Sequence, residues 1–156
     1  MGSAHKKEAI KMNDCQEPLA KFHTQVYRNG RIAIPKNERD YYGLDQHDIV
    51  ELIVRKYEND KIIGRGWFLA QLTVNGKLTI PIGLRQELDI RDGDFVEVLL
   101  IGFIRIEDVI GDQGLKILKA LRSNEYKLIS EEDEKRLLSM LSIAQVQHSQ
   151  HAGVAL

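Results

Sequence analysis

One segment of this chain occurs twice, and the spacing between its copies limits the fold more than any other feature. Asn29-Gly30-Arg31-Ile32-Ala33-Ile34-Pro35, with Arg39 and Asp48-Ile49-Val50-Glu51 behind it, returns as Asn75-Gly76-Lys77-Leu78-Thr79-Ile80-Pro81, with Arg85 and Asp94-Phe95-Val96-Glu97. Every matching pair is forty-six positions apart, and Ala20–Val54 aligns on Gly66–Leu100 without a gap. A fixed period of that size marks a duplicated supersecondary unit, and two copies are too few for a solenoid. The expected product is one closed body with a pseudo-twofold axis.

Each copy spells the same order of elements. Asn-Gly signals a hairpin turn, because both residues accept positive φ. Strand patterns flank it in the first copy, Phe22–Arg28 before and Arg31–Ile34 after. Proline ends the ladder and suits a helix start. Lys36 to Tyr42 spans about two helical turns, Gly43 is a helix stop, and Asp48 opens a strand over Ile49–Val54. The unit therefore reads strand, turn, strand, short helix, strand.

This pattern, Gly-Arg-Ile-x-Ile-Pro-x-x-x-Arg followed by a short helix and Asp-x-Val-Glu, resembles the AbrB/MazE/MraZ family of swapped-hairpin barrels. Two copies in one chain are similar to the MraZ-like arrangement, and the likeness extends over Phe22 to Ile106. It implies a mainly β fold with α, a pseudo-twofold closed β-barrel of the swapped-hairpin type carrying C-terminal helices. A double-psi topology has the same order of elements and stays open at this point.

The remainder of the chain divides around that unit. Residues 1–19 read as a flexible arm with weak helical potential at Glu8–Met12. Residues 20–110 form the tandem body (copies 20–65 and 66–110), 111–147 a helical region, and 148–156 a tail. Between the copies, Glu58-Asn59-Asp60 is a turn and Gly64-Arg65-Gly66 a glycine-rich bend into the next strand; in the second copy Gly102 is expected to turn the chain. Asp112 can cap a helix bearing Leu115, Leu118 and Leu121, which Ser123–Ile129 interrupts. Ser130-Glu131-Glu132-Asp133 is a capping-box-like start, followed by an apolar stripe of Leu137, Leu138, Leu141 and Ala144. Those helices either pack on the body or form an oligomerisation or partner-binding arm.

Charge is balanced overall at −1 and uneven along the chain. Residues 20–66 hold nine Lys/Arg against seven Asp/Glu, while 67–110 hold four against seven. The first copy is thus read as the electropositive half. Cys15 stands alone, which precludes an intrachain disulfide and fits a reducing compartment. No apolar run reaches membrane-spanning length, and the polar start does not read as a secretory signal. The expected location is cytoplasmic and nucleoid-associated.

Catalysis is not expected: no motif sets a nucleophile beside a histidine, and the carboxylates are scattered. His148 and His151 have i, i+3 spacing without further ligands, so no metal and no cofactor are implied. The cations are more suggestive. Arg31 and Lys77 flank the two Asn-Gly turns, and Arg39 and Arg85 lie on the short helices, where DNA-binding members of the resembling family carry basic residues. Two other basic positions of those members fall on Thr24 and Ala70, and on Asp40 and Gln86, so they are unmatched. Arg28 and Lys36 compensate in the first copy; Val74 and Ile82 cannot in the second.

The candidate DNA-binding set is Arg28, Arg31, Lys36, Arg39, Lys77 and Arg85, the first copy making most phosphate contacts. The competing role for Arg39 and Arg85 is a salt bridge to Asp48/Asp94 or Glu51/Glu97. The expected function is an oligomeric DNA-binding transcriptional regulator acting on duplex DNA, with a possible protein partner at the C-terminal helices. The alternatives are a scaffold or adaptor that oligomerises without DNA, and an antitoxin-like partner-binding protein.

Overall fold

The computed structural model describes residues 17–140. Its elements are β1 (Ala20–Gln25), β2 (Arg31–Ala33), α1 (Lys36–Tyr42), β3 (Ile49–Glu58), β4 (Lys61–Gln71), β5 (Lys77–Thr79), α2 (Ile82–Glu87), β6 (Phe95–Ile104), α3 (Gly111–Arg122) and β7 (Tyr126–Leu128). A last helix, α4, covers 131–140. The fold is mainly β with α: an antiparallel five-stranded sheet in the order β1-β6-β3-β4-β7, and a two-stranded sheet of β2 and β5.

The duplication is written into the strand register. Ile32 pairs with Leu78, and Ile53 with Leu99. In both pairs a residue faces its own counterpart forty-six positions later, so a pseudo-twofold axis runs through both pairs. The β1–β6 and β3–β4 ladders are exchanged by the same operation, Ala20 facing Leu100 as Gly66 faces Val54, whereas β7 beside β4 has no counterpart.

The copies therefore interlace. Each Asn-Gly turn was expected to join two strands of one hairpin, but the arms of the first turn meet only at the Tyr27–Arg31 bridge. β1 hydrogen-bonds to β6, and β2 to β5. This exchange points Ile32 and Leu78, both fully buried, into a core shared with Phe22, Leu52, Phe68 and Leu100 from the larger sheet.

Local signals were otherwise decisive. α1 spans Lys36–Tyr42 behind Pro35, and Gly43 ends it in the left-handed conformation at φ 64°. The β3–β4 hairpin turns at Asn59 and Asp60, both at positive φ. Gly64-Arg65-Gly66 is not a connection, however, but part of β4. A Cβ at Gly66 would collide with Leu84 and one at Gly64 with Leu88, so these glycines make room for the leucines of α2 and its C-cap. Gly102 does not turn the chain either. β6 continues to Ile104, and the irregularity appears as a register shift against β3, where Glu51 faces Gly102 and Leu52 faces Leu100.

The C-terminal part of the described chain packs on the body. α3 starts at Gly111 behind Ile110 with no side-chain cap, so Asp112 lies inside the first turn instead of capping it. The Ser123–Ile129 interruption contains β7, which extends the sheet beside β4. Ser130 and Asp133 exchange N–H bonds with each other's side chains at 3.2 and 3.1 Å, closing a capping box at the start of α4. Leu137 and Leu138 of α4 then cover Ile53, Leu99 and Ile101 on the sheet face opposite the main core. Burying Ile53 or Leu99 there stabilises the fold by roughly 1.5–3 kcal/mol each. The expectations for Glu8–Met12, Cys15, Leu141, Ala144 and the 148–156 tail lie outside the described residues. Among the described residues no helix is long and apolar enough to cross a membrane.

Candidate functional site

The six candidate cations sort by space and not by copy. Gly30, in the first turn, lies so close to the Arg85 side chain that a Cβ there would collide with it; Gly76 stands in the same relation to Arg39. Arg31 pairs with Thr79, which leads into Pro81 and α2, and Lys77 pairs with Ala33, which leads into Pro35 and α1. One side of the axis therefore carries Arg28, Arg31 and Arg85, and the other carries Lys36, Lys77 and Arg39. The expected electropositive half does not exist as a separate region, because interlacing divides the basic residues of the first copy between the two sides.

Within each set the residues differ in freedom. Arg28, Arg31, Lys36 and Lys77 are exposed, whereas Arg39 and Arg85 are half-buried. Lys36 has Asp40 at 3.7 Å one turn on, a solvent-exposed pair of little energetic weight. Arg39 donates Nε–H to the Ile34 carbonyl at 3.0 Å, and Arg85 to the Ile80 carbonyl at 2.9 Å. These bonds tie each short helix to the strand end preceding it. The recurring arginine has a structural role, but with a carbonyl partner where a carboxylate was expected. The acids are otherwise engaged: Asp48 accepts from Asp45 N–H, Asp94 from Arg91 N–H, Glu51 from Trp67 Nε1 and Glu97 from Arg55 and Tyr57.

The turns themselves repeat closely. Asn29 and Asn75 have φ of 63° and 61°, and Gly30 and Gly76 of 73° and 69°. Their difference is Asp92. Its carboxylate accepts from Asn29 N–H and Gly30 N–H, both at 3.2 Å. Asp92 belongs to the second copy; the matching position of the first copy is Gln46, for which no such bond to the Asn75–Gly76 turn is found. Sequence reasoning overlooked Asp92, although an acid replacing an amide at matched positions of a repeat was a visible signal.

A second polar cluster lies on the sheet face beneath α4. Glu97 and Glu134 are each only 4% exposed. Arg55 bridges them, donating to Glu97 at 2.7 Å and to both Glu134 oxygens, and Arg65 adds a bond to Glu134 at 2.8 Å. Tyr57 donates to Glu97 at 2.7 Å, and His23 lies 3.2 Å from its other oxygen. Burial, the largest influence on Glu97, opposes its charge, but the Tyr57 and Arg55 hydrogen bonds and the Arg55 charge outweigh it and hold the carboxyl below its ordinary range. The arrangement neutralises charge internally and anchors α4.

No family model matches this sequence, and no curated protein matches it. A solved structure does: the solution structure of PHS018 from Pyrococcus horikoshii is 43% identical with a TM-score of 0.53, over 57% of this chain and 96% of PHS018. With that identity along nearly the whole of PHS018, this chain belongs to the same family as PHS018.

Proposed function

We propose that the protein is a DNA-binding transcriptional regulator of the AbrB-like type, contacting duplex DNA through two cation sets, Arg28/Arg31/Arg85 and Lys36/Lys77/Arg39. The two sheets close in this reading into a single swapped-hairpin barrel. Supporting that closure are the core they share and the bonds from Ile34 N–H to Gly76 O and from Ile80 N–H to Gly30 O, at 2.9 and 3.0 Å.

The observation that carries the reading is the three-and-three division of the cations about the pseudo-twofold axis through Ile32 and Leu78. A duplex has local twofold symmetry of its own, and paired basic sets match paired phosphate runs on its two strands. Arg31 and Lys77 supply the exposed charge nearest the axis, while Arg39 and Arg85 hold the turns on which it stands.

Anisotropy of a labelled random duplex, titrated at several salt concentrations, tests the proposal. The Arg31→Ala/Lys77→Ala double variant should bind more weakly, with the salt slope reduced by about 2, one unit per lost phosphate contact. Unchanged affinity in a folded double variant would sink the assignment. A second reading, an oligomer-forming scaffold without DNA, is favoured by exposed apolar side chains at Phe95 (68%) and Met140 (63%). It predicts a defined oligomer and no duplex binding at low salt.

A further inference from the structure

The two Asn-Gly turns share a backbone and differ in what occupies them. A left-handed residue turns successive N–H groups toward one point, which makes a small anion-binding concavity. In the first turn that concavity holds an anion belonging to the protein: Asn29 N–H points to Asp92 Oδ2 and Gly30 N–H to Oδ1, each at 3.2 Å. The second turn has the same dihedral angles, yet among the described residues no carboxylate accepts from Asn75 or Gly76 N–H. Cations stand near it, with Asp40 3.7 Å from Lys36 and Asp45 directly before Gln46. The Arg39 side chain lies against Gly76, Lys77 follows directly, and Lys36 stands one turn before Arg39 on α1.

We propose that the Asn75–Gly76 turn is a binding site for a phosphate oxyanion, and that Asp92 is the built-in carboxylate filling the equivalent site on the first turn. Two phosphate oxygens would accept from the two N–H groups as the two Asp92 oxygens do. Lys77, Lys36 and Arg39 would balance the remaining charge. The proposal depends on the DNA reading only for what bears the phosphate. It also places this phosphate contact on the second turn and not the first, since Asp92 already occupies the first turn and repels a second anion.

Amide proton–nitrogen spectra recorded during titration with inorganic phosphate, against sodium chloride of equal ionic strength, read the site directly. The expected result is saturable shifts at Asn75, Gly76 and Lys77 with phosphate and none with chloride. Gln46→Asp should install a carboxylate on the second turn and weaken phosphate there at least about tenfold, the equivalent of one charge-assisted hydrogen bond. Gln46→Asn should retain binding, which separates this effect from a disturbed loop. Asp92→Asn should open the first turn, adding saturable shifts at Asn29 and Gly30.

Linear, unsaturable shifts in the wild type, or full binding in a folded Gln46→Asp variant, would overturn the proposal. A short duplex added to the phosphate-bound protein identifies the bearer. Displacement of phosphate by the duplex supports a phosphodiester at this turn. Phosphate retained against excess duplex supports the site as one for free phosphate or a phosphorylated small molecule, and counts against the DNA reading alone.

Discussion

Glu134 Oε2 accepts from the Nε–H groups of both Arg55 and Arg65, at 3.1 and 2.8 Å, and these arginines face each other across the β3–β4 ladder. One carboxylate from the last described helix thus lies between two cations of the sheet. Arg55, on the central strand β3, also binds Glu97, so the network reaches from α4 across to β6. It lies beside the on-axis pair Ile53 and Leu99, which Leu137 and Leu138 cover. The apolar contacts supply the attraction, and Glu134 fixes where α4 sits.

Removing Glu134 leaves two partly buried guanidinium groups without their shared carboxylate. Glu134→Ala should destabilise the protein by about 3–5 kcal/mol, the usual cost of breaking a buried pair from one side. Hydrogen exchange gives the finer test: amides of 131–140 should lose protection before those of β3 and β6. Equal loss across the whole sheet would mean that α4 is not separately anchored.

The turn glycines predict paired effects in the two copies. Gly30 and Gly76 both hold positive φ, and a Cβ at either position meets the arginine of the opposite copy. Gly30→Ala and Gly76→Ala should each cost about 1–3 kcal/mol from backbone strain, before any displacement of Arg85 or Arg39. Urea unfolding measures both. A large cost at one turn and none at the other would contradict the pseudo-symmetric packing.

Much of the fold was legible because its signals are local. Asn29-Gly30, Pro35, Gly43 and the Asn59-Asp60 turn each demand particular dihedrals, and the forty-six-residue period repeats the first two as Asn75-Gly76 and Pro81. Strand pairing was not legible. Residue i and its counterpart forty-six positions on carry similar alternation, so nothing local decides whether β1 joins the strand after its turn or β6 of the other copy. The same ambiguity concealed the division of the cations, which follows from interlacing. Glu134 sits in an acidic run, Glu131-Glu132-Asp133-Glu134, and only its place against Arg55 and Arg65 distinguishes it from solvated neighbours. Gly64 and Gly66 read as a bend because their real cause, the leucines of α2 and its C-cap, comes from a distant segment.

Trp67 offers an optical test of the same face. It is the single tryptophan, its Nε1–H donates to Glu51 at 2.6 Å, and Lys127 Nζ lies 5.4 Å from its ring. Glu51→Ala should leave the indole N–H without that acceptor at a cost of about 1 kcal/mol, the site being only half-buried. The emission maximum should change in the folded state. Glu134→Ala should shift emission to longer wavelength if α4 leaves the face, since Trp67 and Leu137 belong to one apolar cluster. An unaltered spectrum in both variants would separate Trp67 from α4.

Acid stability should report Glu97. Burial opposes its ionisation most, but bonds from Tyr57 and Arg55 together with the Arg55 charge leave the folded carboxyl titrating below its ordinary value. In the unfolded chain a glutamate titrates near about pH 4.3. The stabilisation is therefore complete above that value and is lost as pH falls through the lower folded value. Within that window the unfolded chain binds more protons than the folded one, so stability rises with pH. Glu97→Gln should lower stability at neutral pH and flatten the acid limb, because the position no longer titrates. Urea midpoints measured from about pH 3 to 6 compare the two proteins. Parallel acid limbs in wild type and variant would assign the dependence to other carboxylates and remove Glu97 from the account of acid unfolding.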